Sequence, residues 1–150
     1  MKKILYIDMD NVLVDFPSAF PKLSQDLLSQ YEENRDDIDG IFSLMEPMPD
    51  AVEAFQALSE KFDTYILSTA PWDNPSAWTD KLLWVKKHLG ENAYKRLILS
   101  HHKNLNRGDY LVDDRTKNGA EDFVGEHIHF GVGVFQDWNA VVAYLMRKEG

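Results

Sequence analysis

The chain has 150 residues, 44% apolar and 27% charged, which is the make-up of one globular domain with a full core. Its formal net charge of −9 argues against sequence-independent binding to a nucleic acid polymer, and the absence of cysteine excludes a disulfide framework, a thiolate metal site and a thiol nucleophile. The two lysines after Met1 precede too few apolar residues for a signal-peptide core, and no stretch approaches a membrane span. A cytoplasmic protein that meets no membrane is the expectation.

Residues 3–8 read as a first strand, a short apolar run ending in a carboxylate. Phe16, Phe20, Leu23, Leu27 and Tyr31 then recur at helical spacing, with Pro21 interrupting the stripe. The acidic run 32–37 reads as a solvated loop, and 38–45 as a short apolar piece closed by Pro47 and Pro49. Helix character returns over 50–60, with Val52, Phe55 and Leu58 on one face. A strand follows at 64–68 and a helix at 76–89, stopped by Gly90. Short buried strands are expected at 96–99 and 110–112, and another at 127–134 whose glycines mark bends. Asp137 is placed to cap a last helix with Trp138, Val141, Val142 and Leu145 inward. Strands alternating with helices predict an α/β fold, a doubly wound parallel sheet covered on both faces. The exception to the alternation, 16–48, reads as a small helical cap insertion in a single domain whose core is 1–15 and 49–150.

Four groups of chemically active residues fall at expected strand ends or in the adjoining loops, where ligands bind in open parallel sheets. Asp8 and Asp10 end the first strand. Ser68, Thr69 and Ala70 follow the second, with hydroxyls and backbone N–H groups for an anion. Lys103 precedes the strand at 110–112, and Asp113, Asp114 and Arg115 follow it. Two acidic pairs on separate strands suit one hard cation, and magnesium takes one or two carboxylates beside phosphate and water. Thr69 and Lys103 would hold the remaining phosphate oxygens. His127 and His129 share a face of their strand without further metal ligands in view, and His101 and His102 carry no assigned chemistry.

This set resembles the phosphatases of the haloacid dehalogenase superfamily. Asp8-Met9-Asp10-Asn11-Val12 is similar to their first motif, Thr69 to the second, Lys103 to the third and Asp113-Asp114 to the fourth. Within that superfamily the chain resembles the 5′(3′)-deoxyribonucleotidases. The resemblance is carried by Asp8 through Phe16, by Met45-Glu46-Pro47-Met48-Pro49-Asp50, by Ser68-Thr69-Ala70-Pro71, by Trp84-Val85-Lys86-Lys87-His88-Leu89-Gly90 and by Asp109 through Arg115. Two departures stand out. Asn11 occupies a position where the family more often has glycine, and the segment from Phe16 to Met45 is shorter than in the animal enzymes.

The resemblance implies a Rossmannoid core and two-step hydrolysis of a small phosphomonoester, a deoxyribonucleoside monophosphate. Asp8 would be the nucleophile and form an aspartyl-phosphate, and Asp10 the general acid and base. Mg2+ would be held by Asp8, Asp10 through its carbonyl, Asp113 and Asp114. Asn11, Thr69, Ala70, Lys103 and Lys81 would surround the phosphate. Phe16, Phe42, Trp72 and Arg115 would meet the rest of the substrate. The same machinery could serve a sugar phosphate, and a phosphoryl-switch module without turnover uses similar residue types. The acceptor aspartate of such a module would follow a central strand of the chain order, whereas Asp8 follows the first. Base preference, 5′ against 3′ phosphate and oligomeric state are not written in the sequence.

Overall fold

A computed structural model describes all 150 residues. Its central strand is the first in the chain, β1 (Ile4–Ile7), with Leu5 and Ile7 wholly buried. The Met9 carbonyl then accepts the N–H groups of Val12, Leu13 and Val14, which folds the residues after Asp8 into a tight loop. The loop leads to β2 (Val14–Asp15).

Between β2 and its partner lies a segment of short pieces. It holds 3₁₀ turns at Phe16–Lys22, Arg35–Asp37 and Ile41–Leu44, and one helix, α1 (Gln25–Gln30). The stripe from Phe16 to Tyr31 is therefore two elements rather than one helix. Pro21 lacks the N–H that a continuing helix would need, and Ser24 starts α1 afresh by accepting the Leu27 N–H on its hydroxyl. The run 32–37 contains a 3₁₀ turn. The chain returns at β3 (Glu46–Pro47), which pairs antiparallel with β2.

The remaining elements are α2 (Ala51–Lys61), β4 (Asp63–Ser68), α3 (Pro75–His88), β5 (Leu97–Leu99), β6 (Tyr110–Asp113), β7 (Glu126–His129) and α4 (Trp138–Lys148), alternating only as far as β5. Five strands form a parallel sheet in the order β5-β4-β1-β6-β7. β7 stops at His129 instead of reaching Val134. Gly131 and Gly133 have φ of 85° and 61°, and the Gly131 N–H donates to Phe135 O, so the chain reverses there.

The parallel α/β fold matches the expectation, but its two faces are covered unequally. Leu5, Ile7, Ile66, Val112 and Ile128 meet residues of α2, α3 and α4 in one cluster of 30 buried side chains. The alternate strand residues Tyr6, Leu67 and Leu111 form a cluster of five with Ala120 and Phe123. All three long helices thus share one face. The other is covered by the connections 100–109 and 114–125, which carry only 3₁₀ turns. Crossovers between parallel strands are right-handed. The links from β5 to β6 and from β6 to β7 run opposite to the earlier ones, and so cross the other face.

α4 reaches the loop after β1. Asp137 caps it by accepting the Ala140 N–H at 2.9 Å, as its position in the sequence predicts, and Trp138 Nε1 donates to Val12 O at 2.7 Å. Because β1, β4 and β6 are parallel, Asp8, Thr69 and Asp113 emerge on one edge of the sheet.

Candidate active site

Two buried lysines organise the carboxylates on that edge. Lys103, 3% exposed, puts Nζ 3.1 Å from Asp8 Oδ1 and 2.6 Å from Asp113 Oδ2. Burial opposes its charge, but Asp8 and Asp113 outweigh burial and raise its pKa. Lys81, on α3, puts Nζ 3.1 Å from Asp10 Oδ2 and 2.8 Å from Ser68 Oγ, over the Phe42 ring at 4.7 Å. Each carboxylate of the first motif therefore has its own cation. Asp10 nevertheless has a raised pKa, because burial outweighs the attraction of Lys81, and its Oδ1 is buried without a partner.

One carboxylate oxygen from each of Asp8, Asp113 and Asp114 falls within a 4.8 Å cluster. Asp113 is pushed up to about 7 by burial and by Asp8, even with Lys103 beside it. Asp114 is raised to about 6 for the same reasons, with Arg115 pulling the other way. Asp114 Oδ1 is a buried oxygen with no donor. Three crowded carboxylates, one with a buried oxygen that no donor meets, fit the donor set of a hard divalent cation.

Backbone donors complete this edge. The N–H groups of Met9, Asp10, Thr69 and Ala70 have no acceptor within the protein. They follow the ends of β1 and β4, where free N–H groups suit an anion. Asn11 does not join them. Its φ is 62°, and its N–H donates to Val14 O at 2.7 Å, so that N–H does not face the phosphate expected beside it; the residue lines the cavity. Thr69 Oγ1 donates its one proton to Ser100 O at 2.7 Å and must rotate to donate elsewhere.

Beside the carboxylates opens a cavity of about 620 Å³. Phe16, Trp72 and Arg115 line it. Phe42 does not. It is 3% exposed, packed on Phe16 at 5.7 Å and beneath Lys81, because the turn at Ile41–Leu44 points it into the core. Lys81 is also corrected, from the phosphate to the rear of Asp10, since its ammonium is wholly buried. Arg35, Asp36 and His101 line the cavity without having been expected to. Arg35 lies over the Phe20 ring at 4.7 Å, and its Nε is buried without a partner. His101 sits between Trp72 and Trp78, with centroids 5.9 and 6.0 Å away. The one available signal was a single arginine, Arg35, inside an acidic run.

A parallel sheet with paired carboxylates, a lysine and a hydroxyl at its strand ends defines a hydrolase of the haloacid dehalogenase class. A HAD-hydrolase of Bacillus subtilis, described with magnesium bound, has this fold with a TM-score of 0.69 at 12% identity, over 96% of this chain and 98% of its own. A haloacid dehalogenase-like hydrolase of Xanthomonas campestris gives 0.62 at 10% identity, over 99% and 96%. At such identities the likeness is one of fold. Sequence goes further, for residues 24–140 match the family described as 5′ nucleotidase, deoxy (pyrimidine), cytosolic type C protein. A protein of Vibrio phage KVP40 described as "Putative 5′(3′)-deoxyribonucleotidase" is 62% identical over 144 residues, 96% of this chain and 85% of its own length. One of Bordetella bronchiseptica with the same description is 31% identical over 137 residues, covering 75% and 74%. The chain belongs to this deoxyribonucleotidase family and is an enzyme of the phosphatase kind. None of its helices is long and apolar enough to cross a membrane.

Proposed function

We propose that the chain is a magnesium-dependent 5′(3′)-deoxyribonucleotidase working through an aspartyl-phosphate. The observation that carries this reading is the grouping of Asp8, Asp113 and Asp114 within 4.8 Å, with Lys103 Nζ 3.1 Å from Asp8. Asp8, Asp113 and Asp114 would hold the cation together with the Asp10 carbonyl. Bound there, magnesium neutralises charge on the carboxylates and on the phosphoryl oxygens.

The residues then divide the work. A free oxygen of Asp8 attacks phosphorus, and the bond from phosphorus to the nucleoside oxygen breaks. Asp10, whose pKa is raised by burial, gives its proton to that leaving oxygen. In the second step Asp10 takes a proton from water, the water oxygen attacks phosphorus, and Asp8 is released as inorganic phosphate leaves. Lys103 and the N–H groups of Met9, Asp10, Thr69 and Ala70 stabilise charge on the phosphoryl oxygens in both steps. The segment 16–48 serves as a cap over this edge, bringing Phe16, Arg35 and Asp36 to the cavity wall.

Purified protein assayed against deoxyuridine, thymidine and deoxyguanosine monophosphates and a sugar phosphate tests the reading. Release of phosphate from the nucleotides should need magnesium, stop with chelator and return when magnesium is restored. Full activity in excess chelator would remove the cation from the reaction. A sugar phosphate preferred over all three nucleotides would sink the nucleotidase assignment alone.

A further inference from the structure

The sheet face without helices carries two histidines that these steps do not use. His127 and His129 stand two apart on β7 and so project from the same face. Their rings stack, with centroids 5.4 Å apart and planes at 16°. His127 Nε2 lies 3.1 Å from Asp113 O, and His129 Nε2 lies 2.8 Å from Asp114 O. A carbonyl only accepts, so Nε2 carries the hydrogen in each ring.

The two carbonyls differ in what else holds them. Asp113 O also receives the Phe130 N–H at 3.1 Å, whereas Asp114 O has His129 alone. At Asp114 the strand has ended, and the imidazole supplies the rung that a further strand residue would have supplied. The peptide from Asp114 to Arg115 is gripped at its other side too, because the Arg115 N–H donates to Asp113 Oδ1 at 3.0 Å. A peptide unit is planar, so fixing its carbonyl fixes the direction of its N–H. That N–H fixes one oxygen of Asp113, and Lys103 takes the other at 2.6 Å. His129 thus acts on the Asp113 carboxylate, and on the backbone that carries the Asp114 carboxylate, without touching either.

We infer that His129 is a positioning residue for the divalent cation. Through the Asp114–Arg115 peptide it holds Asp113 and Asp114 in the arrangement that the cation requires, and His127 acts as a weaker second clamp. The inference rests on the metal site proposed above. Carboxylates free to turn must be ordered when the cation binds, which lowers affinity. Partners of this kind around a ligand are worth about 10–100-fold in metal affinity.

Calorimetric titration of the substrate-free protein with magnesium reads the effect directly. His129→Leu removes the donor and keeps much of the volume, and it should weaken magnesium binding by about 10–100-fold. His129→Gln, whose amide can stand near the Nε2 position, should recover most of the loss. His127→Leu should cost less than His129→Leu, because Phe130 still holds Asp113. With saturating magnesium the KM for a deoxyribonucleotide should match the wild type, and the change should lie in the magnesium concentration that gives half the maximal rate. Thermal midpoints measured without metal identify a folded variant. If His129→Leu does not fold, His129→Asn, polar but too short to reach the carbonyl, replaces it under the same expectation. Wild-type affinity in the donor-free variant would overturn the inference, and so would a folded His129→Gln as weak as His129→Leu. A wild-type protein that takes up no magnesium would overturn the metal site itself.

Discussion

Lys81 is a charge with no exposed surface, balanced by Asp10 on one side and the Phe42 ring on another. Removing one partner of a buried ion pair leaves the other uncompensated, which costs about 3–5 kcal/mol. Lys81→Met should therefore lower unfolding free energy by about that amount, and adding Asp10→Asn should restore part of it. Urea unfolding of both single variants and the double variant measures the coupling; additive losses would mean that the two side chains do not interact. In activity the carboxylates should separate. Asp8→Asn should abolish the covalent intermediate, since an amide is a poor nucleophile. Asp10→Asn should still bind phosphate while slowing turnover by about 10²–10⁴-fold, the usual worth of general acid–base help. A near-wild-type rate for Asp8→Asn would show that water attacks phosphorus directly. Lys103→Ala should lower kcat/KM for every nucleotide by one factor, because the phosphate is common to all. A loss that varied with the base would make Lys103 a specificity residue instead.

At the scale of elements, α4 and α3 offer two measurements. Asp137→Ala removes the side chain that caps α4 and should cost about 1 kcal/mol, read as a lower urea midpoint. On α3 the His88 ring packs on Trp84 at 4.5 Å. Burial, joined by Lys87, pushes its pKa below the usual histidine value, with Glu46 opposing. The unfolded chain therefore takes the proton more readily than the folded one. The stability that His88 contributes is complete above the unfolded pKa of about 6.5 and is lost as pH falls through the lower folded value. Wild type should lose stability relative to His88→Phe between about pH 7.5 and about pH 5.5; an unchanged difference would mean that the ring titrates normally. These elements were legible because their signals are local: a capping aspartate before an apolar stripe, an apolar run ending in carboxylates. β2 and β3 were not legible, since two residues have no periodicity and their pairing spans the whole intervening segment. Arg35 and Asp36 read as solvated charges because nothing in a charged run tells which side of a turn faces a cavity. Phe42 and Lys81 were assigned to the site by position in the chain, and side-chain direction placed both behind it.

For the molecule as a whole, the unequal cover of the sheet sets where it tolerates change. The helical face rests on many large side chains, whereas the other relies on two connections lying close against the strands. Their closeness depends on glycines. A Cβ on Gly125 would stand 2.5 Å from the carbonyl oxygens of Gly108 and Asp109, and one on Gly108 would stand 2.6 Å from the Tyr6 ring. Backbone cannot yield as a side chain can. Gly125→Ala should thus cost about 1–3 kcal/mol, the range of overpacked sites, and more than Gly108→Ala, whose neighbour is a ring. Equal stability of both variants with the wild type would show that this cover is loosely held. The alternation of strands and helices could be read along the chain, but the unequal cover follows from the strand order, which no local pattern encodes.

The strand that leads into Asp8 lies at the middle of the sheet, and this has a consequence for how the chain assembles. Ile4 pairs with Asp63, and Leu5 pairs with Tyr110. β1 is thus the first strand made, yet it gains its second neighbour only with β6. Until Tyr110 has emerged, one of its edges stays open, with an apolar run that other chains could pair with. Contacts so far apart in sequence slow the search for the native arrangement. The flanking Lys2 and Lys3 repel like segments during that interval, the service that charged residues give beside unavoidable apolar strands. The candidate site therefore cannot form in a partly made chain: Asp8 is synthesised early, and Asp113 and Asp114 arrive only with β6.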